Sequence, residues 1–214
     1  MKKILVTSFE PFDGETLNPS QLAVADLPDV IDGVKIIKQV IPVVFGKSID
    51  VLYGILKSEN PDAVICVGQA GGRASIAVER VAINIDDARI PDNSGFAPID
   101  EPVFADAPTA YFSTLPIKAM VQDCNEAGIP ASISNTAGTF VCNHLMYAAC
   151  HYSAIYDPKM KAGFVHIPYI PEQTVDKQTM PSMSKENIVT GLMTIIKTVI
   201  HTGEDVLVSG GLEH

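Results

Sequence analysis

Short apolar runs rich in valine and isoleucine recur along the 214-residue chain, and between them apolar positions fall at helical spacing. The runs "KILVTSF" (3–9), "VKIIKQVIPV" (34–43), "DAVICVG" (62–68), "ERVAINI" (79–85), "ASISN" (131–135) and "KAGFVHIPY" (161–169) predict strands, because β-branched side chains suit a pleated, buried surface. Helices are predicted at about 18–27, 45–58, 116–128, 142–156 and 184–203. "NPSQLAVADL" offers Asn18 or Ser20 as N-cap, and "SKENIVTGLMTIIKTVI" opens on Ser184 with Glu186 in its first turn. This alternation predicts an α/β fold, a three-layer α/β/α sandwich whose central sheet is twisted and largely parallel (mixed), in a single domain over residues 1–211. Such sheets bind ligands beyond the carboxyl ends of their strands, so chemistry is sought there. Residues 86–115 lack periodicity and are rich in Pro, Asp and Ala, which predicts a lid, a binding loop or an interface arm.

Composition narrows the partners. Hydrophobic residues make up 47% and charged residues 19%, a globular balance with an apolar surplus that a subunit interface would absorb. The formal charge of −10 argues against nucleic acid or an anionic membrane, both of which need a cationic face. "MKKILVTSFEPFDG" turns polar after a short apolar run, which predicts a first strand and no signal peptide. No apolar run reaches the roughly 18 residues of a membrane span, so a soluble, cytoplasmic protein is expected. The four cysteines, Cys66, Cys124, Cys142 and Cys150, match no zinc-site spacing and are read as thiols. No metal or cofactor is expected. The closing residues 212–214, "LEH", resemble a cloning-site remnant and the start of a histidine tag.

One cysteine is placed differently from the others. In "TAGTFVCNHLMYAAC" Cys142 falls where a small-residue turn gives way to a helix whose buried stripe is Leu145, Met146, Ala149, Tyr152 and Ile155. A thiol in the first turn of a helix sees unpaired N–H groups, which are expected to lower its pKa. It is either an activated nucleophile or a small core filler. His144 and His151 lie on that same helix, and His201 ends the last one. His166, near the end of its strand, shares a face with Phe164 and Pro168, opposite Val165 and Ile167, and is either a base at the sheet edge or a core histidine. Glu79 opens an apolar strand, where it either orients an imidazole or pairs with Arg80 or Arg89. "VICVGQAGG" offers a weaker reading as a nucleotide-binding turn, without the G-x-G-x-x-G spacing and with Arg73 as its nearby base.

Four ordered segments, "TSFEPFDGETLNPS", "VGQAGGRASIAVERVAINIDDARIPDN", "SNTAGTFVCNHLMY" and "GFVHIPYIPEQ", together resemble the pyroglutamyl peptidase I (pyrrolidone-carboxylate peptidase) family of cysteine peptidases through nearly the whole chain. The resemblance implies Cys142 as nucleophile, His166 as base and Glu79 as its acidic partner. It also implies a pocket of Phe9, Phe12, Asn18, Gln69, Phe140 and Val141. In the acyl transfer this expects, the Cys142 N–H would serve the oxyanion, and Arg89 would either assist it or tether the long loop through Asp92 or Asp87. The implied substrates are peptides with an N-terminal pyroglutamate, and the implied assembly is a homo-oligomer, a tetramer. The alternative is a binding module that captures such peptides without turnover.

Overall fold

The computed structural model describes residues 1–211; the expected tag remnant at 212–214 lies outside the described residues. Nine strands and five helices follow one another as β1 (Lys3–Phe9), α1 (Pro19–Ala25), β2 (Val30–Ile31), β3 (Val34–Ile41), α2 (Lys47–Glu59), β4 (Ala63–Gln69), β5 (Ile76–Glu79), β6 (Val81–Ile83), β7 (Ala110–Phe112), α3 (Ile117–Glu126), β8 (Ala131–Ser134), α4 (Val141–Tyr156), β9 (Lys161–Ile167) and α5 (Lys185–His201). Seven strands form one sheet in the order β2-β3-β1-β4-β9-β5-β8. β3, β1, β4 and β9 are parallel, while β5 and its parallel partner β8 run against β9, so the sheet is mixed.

Both faces of the central strands are apolar, as a sheet covered on both sides requires. Ile4, Val6, Ile65, Val67, Val165 and Ile167 pack against α1, α3 and α5. Leu5, Val64, Cys66, Ala162 and Phe164 pack on the other side against α2 and α4. The three layers match the expected sandwich, and the alternation along β9 falls as the sequence predicts. Helix α1 is capped by Asn18, whose Oδ1 accepts from the Ser20 N–H at 3.0 Å, and α5 by Ser184, whose Oγ accepts from the Asn187 N–H at 3.2 Å.

The predicted strand at 79–85 is divided. Its first residue, Glu79, instead ends β5, and the chain leaves the main sheet at Arg80. Val81–Ile83 then pairs with Ala110–Phe112 in a separate two-stranded ribbon. The run carries no Gly or Pro at this point to mark a break, so the departure is set by partners: the Arg80 N–H donates to Ser134 O at 2.8 Å and its carbonyl accepts from the Ser113 N–H at 2.9 Å. The aperiodic stretch after it is tied down along its length. Asp86 bridges to Glu101, and Asp92 accepts from Ser94 N–H and Oγ and the Phe96 and Phe45 N–H groups. Burial opposes a charge on Asp92, yet these donors hold its carboxyl below the ordinary value.

Candidate active site

Helix α4 begins one residue earlier than expected, at Val141, with Phe140 as an N-cap that supplies no side-chain bond. Its first intrahelical bond runs from the His144 N–H to Phe140 O at 3.1 Å, so the N–H groups of Val141, Cys142 and Asn143 precede the ladder. The Cys142 side chain descends onto β4. A Cβ built on Gly68 would lie 3.0 Å from the Cys142 Sγ and 2.7 Å from the Phe164 ring. Gly68 is therefore the floor that lets a thiol reach the sheet. Gly68→Ala is expected to displace the sulfur or Phe164, lowering kcat on the order of 100-fold and stability by ~1–3 kcal/mol; steady-state kinetics beside urea unfolding would check both.

Gly68 is also the partner of His166 in the β4–β9 register, one strand spacing away at about 4.8 Å, and paired residues share a face. The thiol and the imidazole thus lie on the same, α4-facing side of the sheet. His166, buried, packs against the Phe164 ring at a centroid distance of 4.7 Å. Across the antiparallel β5–β9 pair, Glu79 lies opposite Phe164, one diagonal step from His166. Its Oε1 accepts from the His166 Nδ1 at 2.7 Å. That bond fixes the Nδ1–H tautomer and leaves Nε2 bare. The structure thus brings together the three residues singled out in the sequence.

Two local expectations are corrected. Glu79 does not pair with Arg80 or Arg89; its cation is Arg73, whose Nη1 donates to the same Oε1 at 2.9 Å. Arg80 instead donates to Gly210 O at 2.6 Å. Arg89 is exposed and makes none of the hydrogen bonds or ion pairs among the described residues. Secondly, the Cys142 pKa is raised, not lowered. Burial of the sulfur, reinforced by the Glu79 charge and Cys66 and opposed by Arg73, pushes the thiol up to about 12. Cys142 keeps partial exposure as a residue while its sulfur points inward over Gly68. Cys66, Cys124 and Cys150 are likewise pushed up to about 12 by burial. Resting acidity therefore does not distinguish Cys142, whereas its neighbours do.

The other histidines are committed elsewhere. His144, two residues past the thiol, is buried between Asp86 Oδ2, 2.7 Å from its Nδ1, and the Gly46 N–H, which donates to its Nε2 at 2.9 Å. This second histidine–carboxylate pair, unforeseen in the sequence, ties the start of the long loop and the start of α2 to the first turn of α4. His151 meets the Tyr111 hydroxyl at 3.0 Å, and His201 meets Asp32 at 2.9 Å.

Beside the thiol, half-buried Phe12 and Phe140 pack at 6.1 Å, and Phe45 stands edge-on to Phe140 at 5.4 Å and to Phe96 at 6.2 Å. Phe45 and Phe96 join this aromatic cluster, which the sequence reading missed; only the fold brings Phe45 to Phe140 and Phe96 to Phe45. Phe9, by contrast, is buried against Phe164 at 6.3 Å and serves the core. Val141 is buried, and Asn18 is fully used: besides capping α1, its Nδ2 donates to Glu10 O at 3.1 Å. Gln69 accepts from Gln173 Nε2 at 3.0 Å, and strand alternation turns it to the face opposite Gly68. The glycines of "GQAGG" have packing reasons: a Cβ on Gly71 would meet the Tyr169 ring at 2.3 Å, and Gly72 adopts φ +85°. Among the described residues, no group of three His, Cys, Asp or Glu is placed to hold a metal, and no helix is long and apolar enough to cross a membrane.

Comparison with known proteins identifies the family. The profile of the pyroglutamyl peptidase family matches residues 2–202. A pyrrolidone-carboxylate peptidase of Alkaliphilus oremlandii is 60% identical over 209 residues, 98% of each chain, and one of Erwinia tasmaniensis is 52% identical over the whole of both. The crystal structure of pyroglutamyl peptidase I from Bacillus amyloliquefaciens superposes with a TM-score of 0.94 at 46% identity, covering 97% of this chain and 99% of that one. A mutant pyrrolidone carboxyl peptidase from Pyrococcus furiosus gives 0.90 at 46% identity over 92% and 98%. With a family match spanning all but the chain's ends and full-length relatives above half identity, this chain belongs to the pyroglutamyl peptidase family.

Proposed function

We propose that this protein hydrolyses the amide bond after an N-terminal pyroglutamyl residue, with Cys142 as nucleophile, His166 as general base and then acid, and Glu79 orienting the imidazole. The observation that carries this reading is the buried His166 Nδ1 to Glu79 Oε1 bond of 2.7 Å beside a thiol seated over Gly68. His166 Nε2 takes the Cys142 proton as the sulfur bonds to the pyroglutamyl carbonyl carbon. The carbon–nitrogen bond then breaks, and the imidazolium gives its proton to the departing amine. Water, deprotonated by His166, cleaves the thioester, releasing pyroglutamate and restoring the thiol. Burial pushes the resting thiol up, so its proton must be taken by a base as the sulfur attacks, and His166 is that base in this reading.

The N–H groups opening α4 supply donors for the tetrahedral oxyanion, each worth typically ~3 kcal/mol. Arg89, exposed and outside the hydrogen bonds and ion pairs of the described residues, is assigned a supporting role at that oxygen in this reading. The 5-oxoproline ring is neutral and flat, which suits aromatic walls at Phe12 and Phe140. Phe9, Asn18, Gln69 and Val141 support the pocket by holding its frame. A homo-oligomer is part of the same reading, supported by exposed Phe112 and Tyr156 and by Ile155, which helical spacing predicts as buried but which is exposed near the end of α4.

The test is release of a fluorogenic amine from a pyroglutamyl amide under reducing conditions, with the prolyl amide, whose ring nitrogen is cationic, as control. Turnover of the first and at least about 100-fold less of the second is expected. Binding of pyroglutamate without turnover would favour a capture module instead.

A further inference from the structure

We infer that Arg73 is a positioning residue of this site: it holds the buried Glu79 carboxylate charged and aimed at His166 while bracing the segment that leads into the Cys142 helix. The inference rests on the catalytic reading of Glu79 and His166 above.

Glu79 is fully buried, and a carboxylate taken out of water needs a compensating charge or enough hydrogen bonds to remain ionised. Its hydrogen bonds are unevenly distributed. Oε1 accepts from both His166 Nδ1 at 2.7 Å and Arg73 Nη1 at 2.9 Å, while buried Oε2 has no partner among the described residues. The ionisable groups facing Glu79 are His166 from β9, Cys142 from α4 and Arg73 from the loop before β5; β8 contributes Ser134, which is neutral. Of these, Arg73 alone is a permanent cation.

The second observation is the other end of the guanidinium. Arg73 Nη2 donates to Thr136 O at 3.4 Å, within the turn between β8 and α4. That turn is itself braced, since Ser134 Oγ donates to the same carbonyl at 3.0 Å and Thr136 Oγ1 accepts from the Gly138 N–H at 3.0 Å. One side chain therefore contacts both the acid of the triad and the turn that delivers its nucleophile. An ordinary surface ion pair contributes little, but here the acidic partner is wholly buried and the basic one is one-third exposed.

Without the cation, burial favours a protonated Glu79. A protonated Glu79 donates to His166 Nδ1 and forces the Nε2–H tautomer, which cannot take the Cys142 proton. Acid should therefore hurt an Arg73 variant more than the wild type.

Arg73→Met and Arg73→Lys are compared with wild type by kcat and KM at pH 6 and pH 8, and by ¹⁵N-histidine NMR, which reads the His166 tautomer without any substrate. For Arg73→Met, kcat is expected to fall on the order of 10- to 100-fold with KM within about 2-fold, and to fall further at pH 6 than at pH 8. Arg73→Lys should recover most of the loss, being a cation of shorter reach, and the Nδ1–H tautomer should persist in it and be lost in Arg73→Met as the pH falls. A loss equal at both pH values with the tautomer unchanged in both variants would overturn the inference and leave Arg73 a loop tether. Wild type that shows the tautomer but no turnover would overturn the peptidase reading alone, because the NMR comparison still decides the role of Arg73.

Discussion

Cys142→Ala is expected to lower kcat on a pyroglutamyl amide by at least about 10,000-fold, because the reaction then loses the atom that carries the acyl group. The fold should survive. The lost sulfur lies over Gly68, where an added Cβ would come within 3.0 Å of it, so the melting temperature should move by no more than about 2–4 °C. Alkylation offers an independent check in the unmodified protein. With the resting thiol pushed up to about 12, the rate with iodoacetamide should climb about tenfold per pH unit once His166 is replaced by Ala. Wild type, where His166 takes the proton, should react faster at pH 7 and show a flatter profile. Retention of more than about 1% of wild-type kcat in Cys142→Ala would place the nucleophile elsewhere. The other three thiols are poor candidates: each is buried, and among the histidine contacts described none engages them.

Glu79→Gln is expected to cost less, with kcat falling on the order of 100- to 1,000-fold and KM unchanged within about 3-fold. An amide oxygen at Oε1 can still accept from His166 and Arg73, so the tautomer and the aim of the imidazole are retained. What disappears is the negative charge opposite the imidazolium that forms when Cys142 gives up its proton. The Arg73 cation then stands unbalanced beside that developing charge and opposes it. The new NH₂ group falls where Oε2 already lacks a partner, so the added penalty in the ground state is a buried donor in place of a buried acceptor. A loss of kcat equal to that of Cys142→Ala would show that Glu79 does more than orient and stabilise.

The parts of this site that were readable in the sequence depended on local periodicity. "GFVHIPY" alternates, which puts Phe164 and His166 on one face and Val165 and Ile167 on the other, and the cores on the two sides of the sheet are divided in that way. The turn-to-helix change at "TFVCNH" located Cys142 within one residue of its true helical position. Reading failed where two patterns were locally identical. Residues 76–83 read as strand on both sides of Arg80 with no Gly or Pro between, yet four belong to the main sheet and three to a separate ribbon, because Arg80 bonds to Ser134 and Ser113, residues more than thirty positions away in sequence.

The electrostatics were less legible still. Nothing local in "GGRASIAVER" shows that Arg73, and not Arg80, reaches Glu79; the chain must first turn through Gly72 and enter β5. The helix position alone suggests an acidic thiol, but the sulfur is buried over Gly68 and desolvation outweighs that position. His144 looked idle two positions from Cys142, and it became a strut only when Asp86 and Gly46 were brought to its two nitrogens.

By itself the sequence determined the layer order, the face each strand residue takes and which residue types lie near the strand ends, since these follow from side-chain period and backbone preference along a few consecutive residues. Only the tertiary structure decided who pairs with whom: which arginine neutralises Glu79, which histidine meets the thiol and how dry the sulfur becomes. Those outcomes depend on distance and solvent exclusion between segments far apart in the chain, and Coulombic and desolvation energies respond to that geometry alone.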